Sequence, residues 1–184
     1  MEISDSYTIA FENQFVRIVQ VTLDARRKPS HYVAASMPMV RVILESDHPR
    51  FPRGTTHYCE SAQDDAGISS REIRVELKSP LRDTTPMKLD AVRVDPSRYK
   101  IDFENDRVRI VRLGFAAREK GMMVEHPPRV LVTITDVAVK LQFADGRTDE
   151  RGAPAGVAGW LERETLLTEN AREEPLEVVL IEPK

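Results

Sequence analysis

A thirteen-residue segment occurs twice in this chain. Residues 7–19 recur as residues 99–111 at a fixed offset of 92. Nine of the thirteen positions are identical: Tyr7/Tyr99, Ile9/Ile101, Phe11/Phe103, Glu12/Glu104, Asn13/Asn105, Val16/Val108, Arg17/Arg109, Ile18/Ile110 and Val19/Val111. Identity of this density at one offset implies two copies of one structural unit. A chain of 184 residues has room for both, each with a core of its own.

The repeated segment runs into alternating, β-branched sequence, which predicts strands over 15–23 and 107–115. The same pattern predicts strands over 39–44, 72–78, 130–135, 137–143, 156–162 and 176–181. Residues 161–174 are expected as strand and turn rather than helix, and no segment keeps a helical period over three turns. Asp145-Gly146 predicts a hairpin after 137–143, and Pro49, Pro52, Pro80, Pro127 and Pro128 punctuate other connections. Many short strands with turns between them indicate an all-β sandwich or barrel. The expected organisation is a first repeat over 1–80, a proline-containing connector over 81–97 and a second repeat over 98–184. The first repeat closes at 71–78 and the second at 176–182, which leaves the first shorter, as though a hairpin were lost.

Charge argues against nucleic acid as a partner. The net charge is −3, and Arg and Glu are spread along the chain rather than blocked. The polar opening residues and the shortness of every apolar run predict neither a signal peptide nor a membrane span. Cys59 is the only cysteine, so no internal disulfide is possible, and a reducing cytoplasm is expected.

Glu12-Asn13-Gln14-Phe15-Val16-Arg17-Ile18 and its second copy, a proline-flanked histidine loop at 28–33, and Pro52-Arg53-Gly54-Thr55-Thr56-His57 resemble the cupin superfamily. The doubling resembles a bicupin. The resemblance implies antiparallel jelly-roll barrels, two in one chain, and exposed sheet edges make a homodimer an expectation. It also implies a divalent metal (Fe, Mn, Ni, Cu or Zn) held by a His-x-His pair and a Glu from one motif and a His from a second. Most of that ligand set is gone. In the second copy the first His reads as Val124, the second survives as His126, no Glu follows, and the second-motif His falls on Leu166. In the first copy His31 keeps the first His, Val33 replaces the second, His57 keeps the second-motif His and Ser61 replaces the later Asn. Glu45 and His48 are near in sequence.

Each candidate has a plainer alternative. His57 is a metal ligand or acid/base, or else a relic whose ring packs or hydrogen-bonds inside a barrel; any metal site would use His57 with His31. His31 is alternatively a solvated loop residue, His48 a turn residue, and His126 a packed or hydrogen-bonded imidazole. Cys59 shares a strand face with His57, which suggests a Cys/His nucleophile, though a buried Cys is otherwise a small hydrophobe. Three functions follow. The leading one is a barrel that binds a small molecule over an eroded metal site, with no metal and no catalysis. The second is a metal-dependent dioxygenase- or isomerase-type enzyme. The third is a structural or interaction protein with filled barrels.

Overall fold

The structure, a computed structural model, describes residues 6–24, 37–61, 68–83 and 85–184. The chain divides into unit 1, Met1–Leu81, and unit 2, Arg82–Lys184. Unit 1 contains β1 (Ser6–Glu12), β2 (Val16–Leu23), β3 (Met39–Ser46), β4 (Thr56–Cys59) and β5 (Ser70–Leu77). They form one antiparallel sheet in the order β1-β2-β5-β3-β4.

Unit 2 opens with the four-residue helix α1 (Ala91–Val94). Then come β6 (Tyr99–Glu104), β7 (Val108–Phe115), β8 (Lys120–His126), β9 (Arg129–Thr133), β10 (Val137–Phe143), β11 (Thr148–Ala153), β12 (Ala158–Leu161), β13 (Glu164–Asn170) and β14 (Leu176–Pro183). They build a four-stranded sheet, β11-β10-β13-β8, and a five-stranded sheet, β12-β9-β14-β7-β6. The core of unit 2 takes Val111, Leu113 and Phe115 from β7, Val178 and Leu180 from β14, and Val124 from β8 of the other sheet. Among the described residues no helix is long and apolar enough to cross a membrane.

The two five-stranded sheets share one strand order: β1-β2-β5-β3-β4 corresponds to β6-β7-β14-β9-β12. The repeated segment explains the shared entry hairpin. Asn13 Oδ1 accepts from the backbone N–H of Phe15 (2.8 Å) and Val16 (2.9 Å), and Asn105 Oδ1 accepts from Arg107 (2.9 Å) and Val108 (3.0 Å). Asparagine recurs because its side chain closes this turn on the backbone. Both hairpins slip register at one place, between Ile9 and Phe11 and between Ile101 and Phe103. Lys78 Nζ donates to Glu12 Oε1 and to the Asn13 carbonyl, each at 2.7 Å, and Lys184 makes the same pair of bonds to Glu104 (2.7 Å) and Asn105 (2.8 Å).

Two expectations change. The connector expected over 81–97 is folded into unit 2 from residue 82 onward. Asp90 caps α1 through the Arg93 N–H (3.2 Å) and bridges to Glu125, and Ala91 is buried in the core. Proline content marked an irregular path there, not a free linker. The Pro-x-Gly turn also moves. Gly54 and Gly156 both sit at φ 83°, which favours glycine. Gly54 N–H donates to the Ile43 carbonyl and Gly156 N–H to the Thr133 carbonyl, both at 2.8 Å. Pro52–Gly54 and Pro154–Gly156 are therefore the same turn, and each leads into an edge strand, β4 or β12. His57 faces Arg41 across β3–β4 as Gly159 faces Leu131 across β9–β12. The position matching His57 in unit 2 is thus Gly159, while Leu166 lies on β13 in the other sheet.

Candidate functional site: a cavity between the sheets of unit 2

Strand parity builds the site. Alternate residues of a strand point to opposite faces. In β9 that sends Arg129, Leu131 and Thr133 to the space between the sheets, and in β14 it sends Leu176, Val178 and Leu180. Val137, Val139 and Leu141 of β10 and Glu164, Leu166 and Thr168 of β13 close it from the four-stranded side. Between them lies a cavity of about 260 Å³ with mostly apolar walls. Gly159 and Leu161 of β12 also line it, with Arg151, Gly152 and Ala153 of β11, and a Cβ added to Gly159 would meet nothing within 4 Å.

One part of the wall is polar. His126 ends β8 and Arg129 begins β9, with Pro127-Pro128 turning the chain between them. Glu164 stands opposite His126 in the β8–β13 register. Arg129 Nη2 donates to Glu164 Oε2 at 3.0 Å, and its Nη1 donates to the carbonyls of Pro127 and Glu162, each at 3.2 Å. Arg151 Nη1 takes the other Glu164 oxygen at 3.1 Å. Tyr99 OH lies 3.4 Å from His126 Nε2. His126 is only 3 % exposed, and its Nδ1 and the Arg129 Nε are buried without a hydrogen-bond partner.

Burial sets the protonation states. It holds the His126 imidazole well below its usual 6.5, and the charges of Arg129 and Arg109 push the same way, so the ring is neutral at pH 7. Burial likewise raises the Tyr99 phenol and keeps it a donor. It pulls the Arg129 guanidinium down, against the attraction of Glu164.

The His126 shift predicts a pH effect. Below pH 6.5 the unfolded chain gains a proton that the folded chain refuses, so this residue's contribution falls as pH drops. The expected loss approaches about 1.4 kcal/mol per pH unit below that point. Denaturant unfolding of the native protein and of His126→Phe between pH 5 and 7.5 checks it. The variant should lack that part of the slope; equal slopes would mean an imidazole titrating as it does in water.

His126 is in unit 2. His57 is in unit 1, exposed on β4, with its Nδ1 3.3 Å from the buried Cys59 Sγ. His31 lies outside the described residues. His48 occupies a turn, where its Nδ1 accepts from the Arg50 N–H at 3.2 Å, and Glu45 pairs with Arg71 at 2.8 Å on the surface.

Among the described residues there is no group of three or more His, Cys, Asp and Glu side chains placed to hold a metal. The residues of the unit 2 cavity do not fit one either. Val124 and Leu166 face each other across β8–β13, and the position matching His57 is a glycine, Gly159. Glu164 beside His126 has both oxygens engaged by arginines, whose charge opposes a dication. Sequence reasoning missed Arg129, Glu164 and Tyr99. The signal was present for Arg129: a charged residue in phase with Leu131 on an apolar strand points inward.

No protein-family profile matches the chain, and no curated protein sequence is similar to it. Solved structures do match. A cupin 2 conserved barrel domain protein from Leptotrichia buccalis aligns over 100 % of this chain and 91 % of its own, with a TM-score of 0.52 and 12 % identity. A cupin domain from Bordetella pertussis Tohama I aligns over 47 % of this chain and 91 % of its own, with a TM-score of 0.44 and 19 % identity. Procruciferin, an 11S globulin from Brassica napus, aligns over 90 % and 75 %, with a TM-score of 0.49 and 8 % identity. The Leptotrichia likeness, with the antiparallel strand order described above, gives this chain a cupin-like, jelly-roll-type all-β fold.

Proposed function

We propose that this protein is a degenerate two-repeat cupin that binds a small, largely apolar molecule in unit 2, without metal chemistry there. The carrying observation is an apolar cavity of about 260 Å³ whose wall holds Gly159, at the position matching His57, and Leu166, which faces Val124. Cavities of about 150 Å³ with aliphatic and aromatic walls stay dry and bind benzene. This larger one suits a molecule of two fused rings. The two-repeat assignment rests on the shared strand order and on the recurring asparagine turns and lysine bonds. An open cavity favours binding over the structural alternative, in which side chains fill the interior.

Gly159 supplies the test. A leucine there keeps an unstrained backbone and projects into the cavity beside Leu131 and Leu161. Ligand-observed NMR with toluene and naphthalene should show binding to the native protein and its loss in Gly159→Leu. The variant should stay folded, with stability raised by about 0.5–2 kcal/mol as the void fills. Absence of binding, or binding that survives the leucine, would end the proposal.

A further inference from the structure

The outer face of the four-stranded sheet carries four charges in one row. Across β11, β10, β13 and β8 the register aligns Glu150, Lys140, Glu169 and Lys120. Residues opposite one another in a sheet share a face. This is the face turned away from the cavity, which Leu141, Leu166 and Thr168 line from the other side. The four charges border one shallow depression of about 530 Å³, together with Gln142 and Leu167. Glu150, Lys140 and Lys120 are exposed and Glu169 is half-buried. Cross-strand neighbours of opposite charge ordinarily interact. Here, among the described residues, none of the four has an ion pair or a side-chain hydrogen bond. Arg118 feels the charge of Glu169 but is bound to Glu173.

The row reads minus, plus, minus, plus, so its charges cancel. A uniformly acidic or basic surface would meet as much repulsion as attraction there. A patterned surface would not, and the matching pattern is this same row read from its other end. A two-fold axis along the strands, midway between β10 and β13, lays one copy of the sheet over another with the strand order reversed. Glu150 then meets Lys120 of the second copy, and Lys140 meets Glu169 of the second copy. In the adjoining row Gln142 and Leu167, which are register partners, also face each other across the axis. An axis across the strands would instead set each charge over its like. Stacked sheets stand about 10 Å apart, a gap that a lysine and a glutamate span together. We infer that unit 2 pairs face to face with a second copy of this chain, through the outer face of its four-stranded sheet, with the charge row fixing the orientation. This contact uses neither the cavity nor a sheet edge.

Sedimentation velocity on the full chain over a range of concentrations should show a dimer at low ionic strength. The dimer should weaken in about 1 M salt, where screening acts beyond about 3 Å. Lys140→Glu places like charges over each other twice per dimer and should weaken it at least about tenfold. Glu169→Lys should do the same. Mixed in equal amounts, the two single variants offer each other opposite charges and should form a dimer of one chain each. Both changes in one chain should likewise restore self-association. The positions are at the surface, so far-ultraviolet circular dichroism should be unchanged. If either variant misfolds, the native protein decides. Carbodiimide joins a lysine to a carboxylate beside it, and in a mixture of isotope-labelled and unlabelled chains it should link Lys140 to Glu169 and Lys120 to Glu150 between copies. A chain that stays monomeric at every concentration overturns the inference. So does a dimer indifferent to salt and to Lys140→Glu, a mixture that fails to associate, or cross-links confined within one chain.

Discussion

Arg109→Met is expected to lower the thermal midpoint by about 6–20 °C, from a loss of about 3–5 kcal/mol at about 2–4 °C per kcal/mol. The Arg109 Nε donates to Glu182 Oε2 at 2.6 Å and its Nη1 to Asp90 Oδ2 at 2.8 Å. All three side chains are largely buried. Removing the guanidinium strands two carboxylates near each other in a low-dielectric setting, which is far costlier than losing a surface pair. The effect has a pH signature. Burial already raises the Glu182 carboxyl, with Arg109 holding it down and Asp90 adding to the rise. Without Arg109 the folded value rises further above the unfolded one. A raised acid gives stability that is present at low pH and lost as pH climbs through its folded value. The deficit of Arg109→Met should therefore be smaller at pH 5 than at pH 8. Thermal melts followed by circular dichroism at both values test it; an unchanged midpoint at pH 8 would contradict the buried cluster.

The second large effect lies in unit 1. Glu72 is fully buried, and its Oε2 accepts from Arg41 Nε (3.1 Å) and Nη2 (2.7 Å) while its Oε1 accepts from Arg74 Nε. Glu72→Val leaves two buried guanidinium groups without that carboxylate and should cost about 3–5 kcal/mol. The register supplies a rescue. Arg41 faces Arg74 as Leu131 faces Leu180, and Glu72 faces Val21 as Val178 faces Leu113. Unit 2 thus has Leu, Val and Leu where unit 1 has Arg, Glu and Arg. The triple change Arg41→Leu, Glu72→Val, Arg74→Leu swaps the ion cluster for those side chains. Buried ion clusters replaced by well-packed apolar groups are commonly neutral or stabilised by about 1–4 kcal/mol. Denaturant midpoints should place the triple variant at or above the native protein. A triple variant no better than Glu72→Val would rule out equivalence of the two faces.

Much of the fold was legible in the sequence because the repeat lies on the hairpin that enters each five-stranded sheet. The asparagine turns, the strands that follow them and the Asp145-Gly146 hairpin joining β10 to β11 are local features, and local chemistry specifies them. The lost hairpin has a concrete counterpart. Residues 47–55 join β3 to β4, whereas β10 and β11 lie between β9 and β12. The charged face of β5 was not legible. Glu72, Arg74 and Glu76 alternate with Ile73, Val75 and Leu77, the pattern of a strand with one wet face, yet both faces are buried. Periodicity separates the faces of a strand but does not distinguish water from an ion-pair partner on the next strand. The site was half legible. Reading Val124 and Leu166 as lost ligands pointed to a dry interior; the two do face each other, but the position matching His57 is Gly159. His126 gained its significance only from Tyr99 and Arg129, which are distant in sequence or hidden by a proline turn.

The strand order also fixes a sequence of events on the ribosome. In unit 1 the last strand, β5, lies between β2 and β3, and in unit 2 the last strand, β14, lies between β7 and β9. The neighbours of each have no partner on that side until it arrives, so neither sheet can be completed by a nascent chain that stops short of its final strand. Unit 1 can complete its sheet while β14 is still to be made. The half with the ion cluster is thus free to fold before the half with the cavity has been translated.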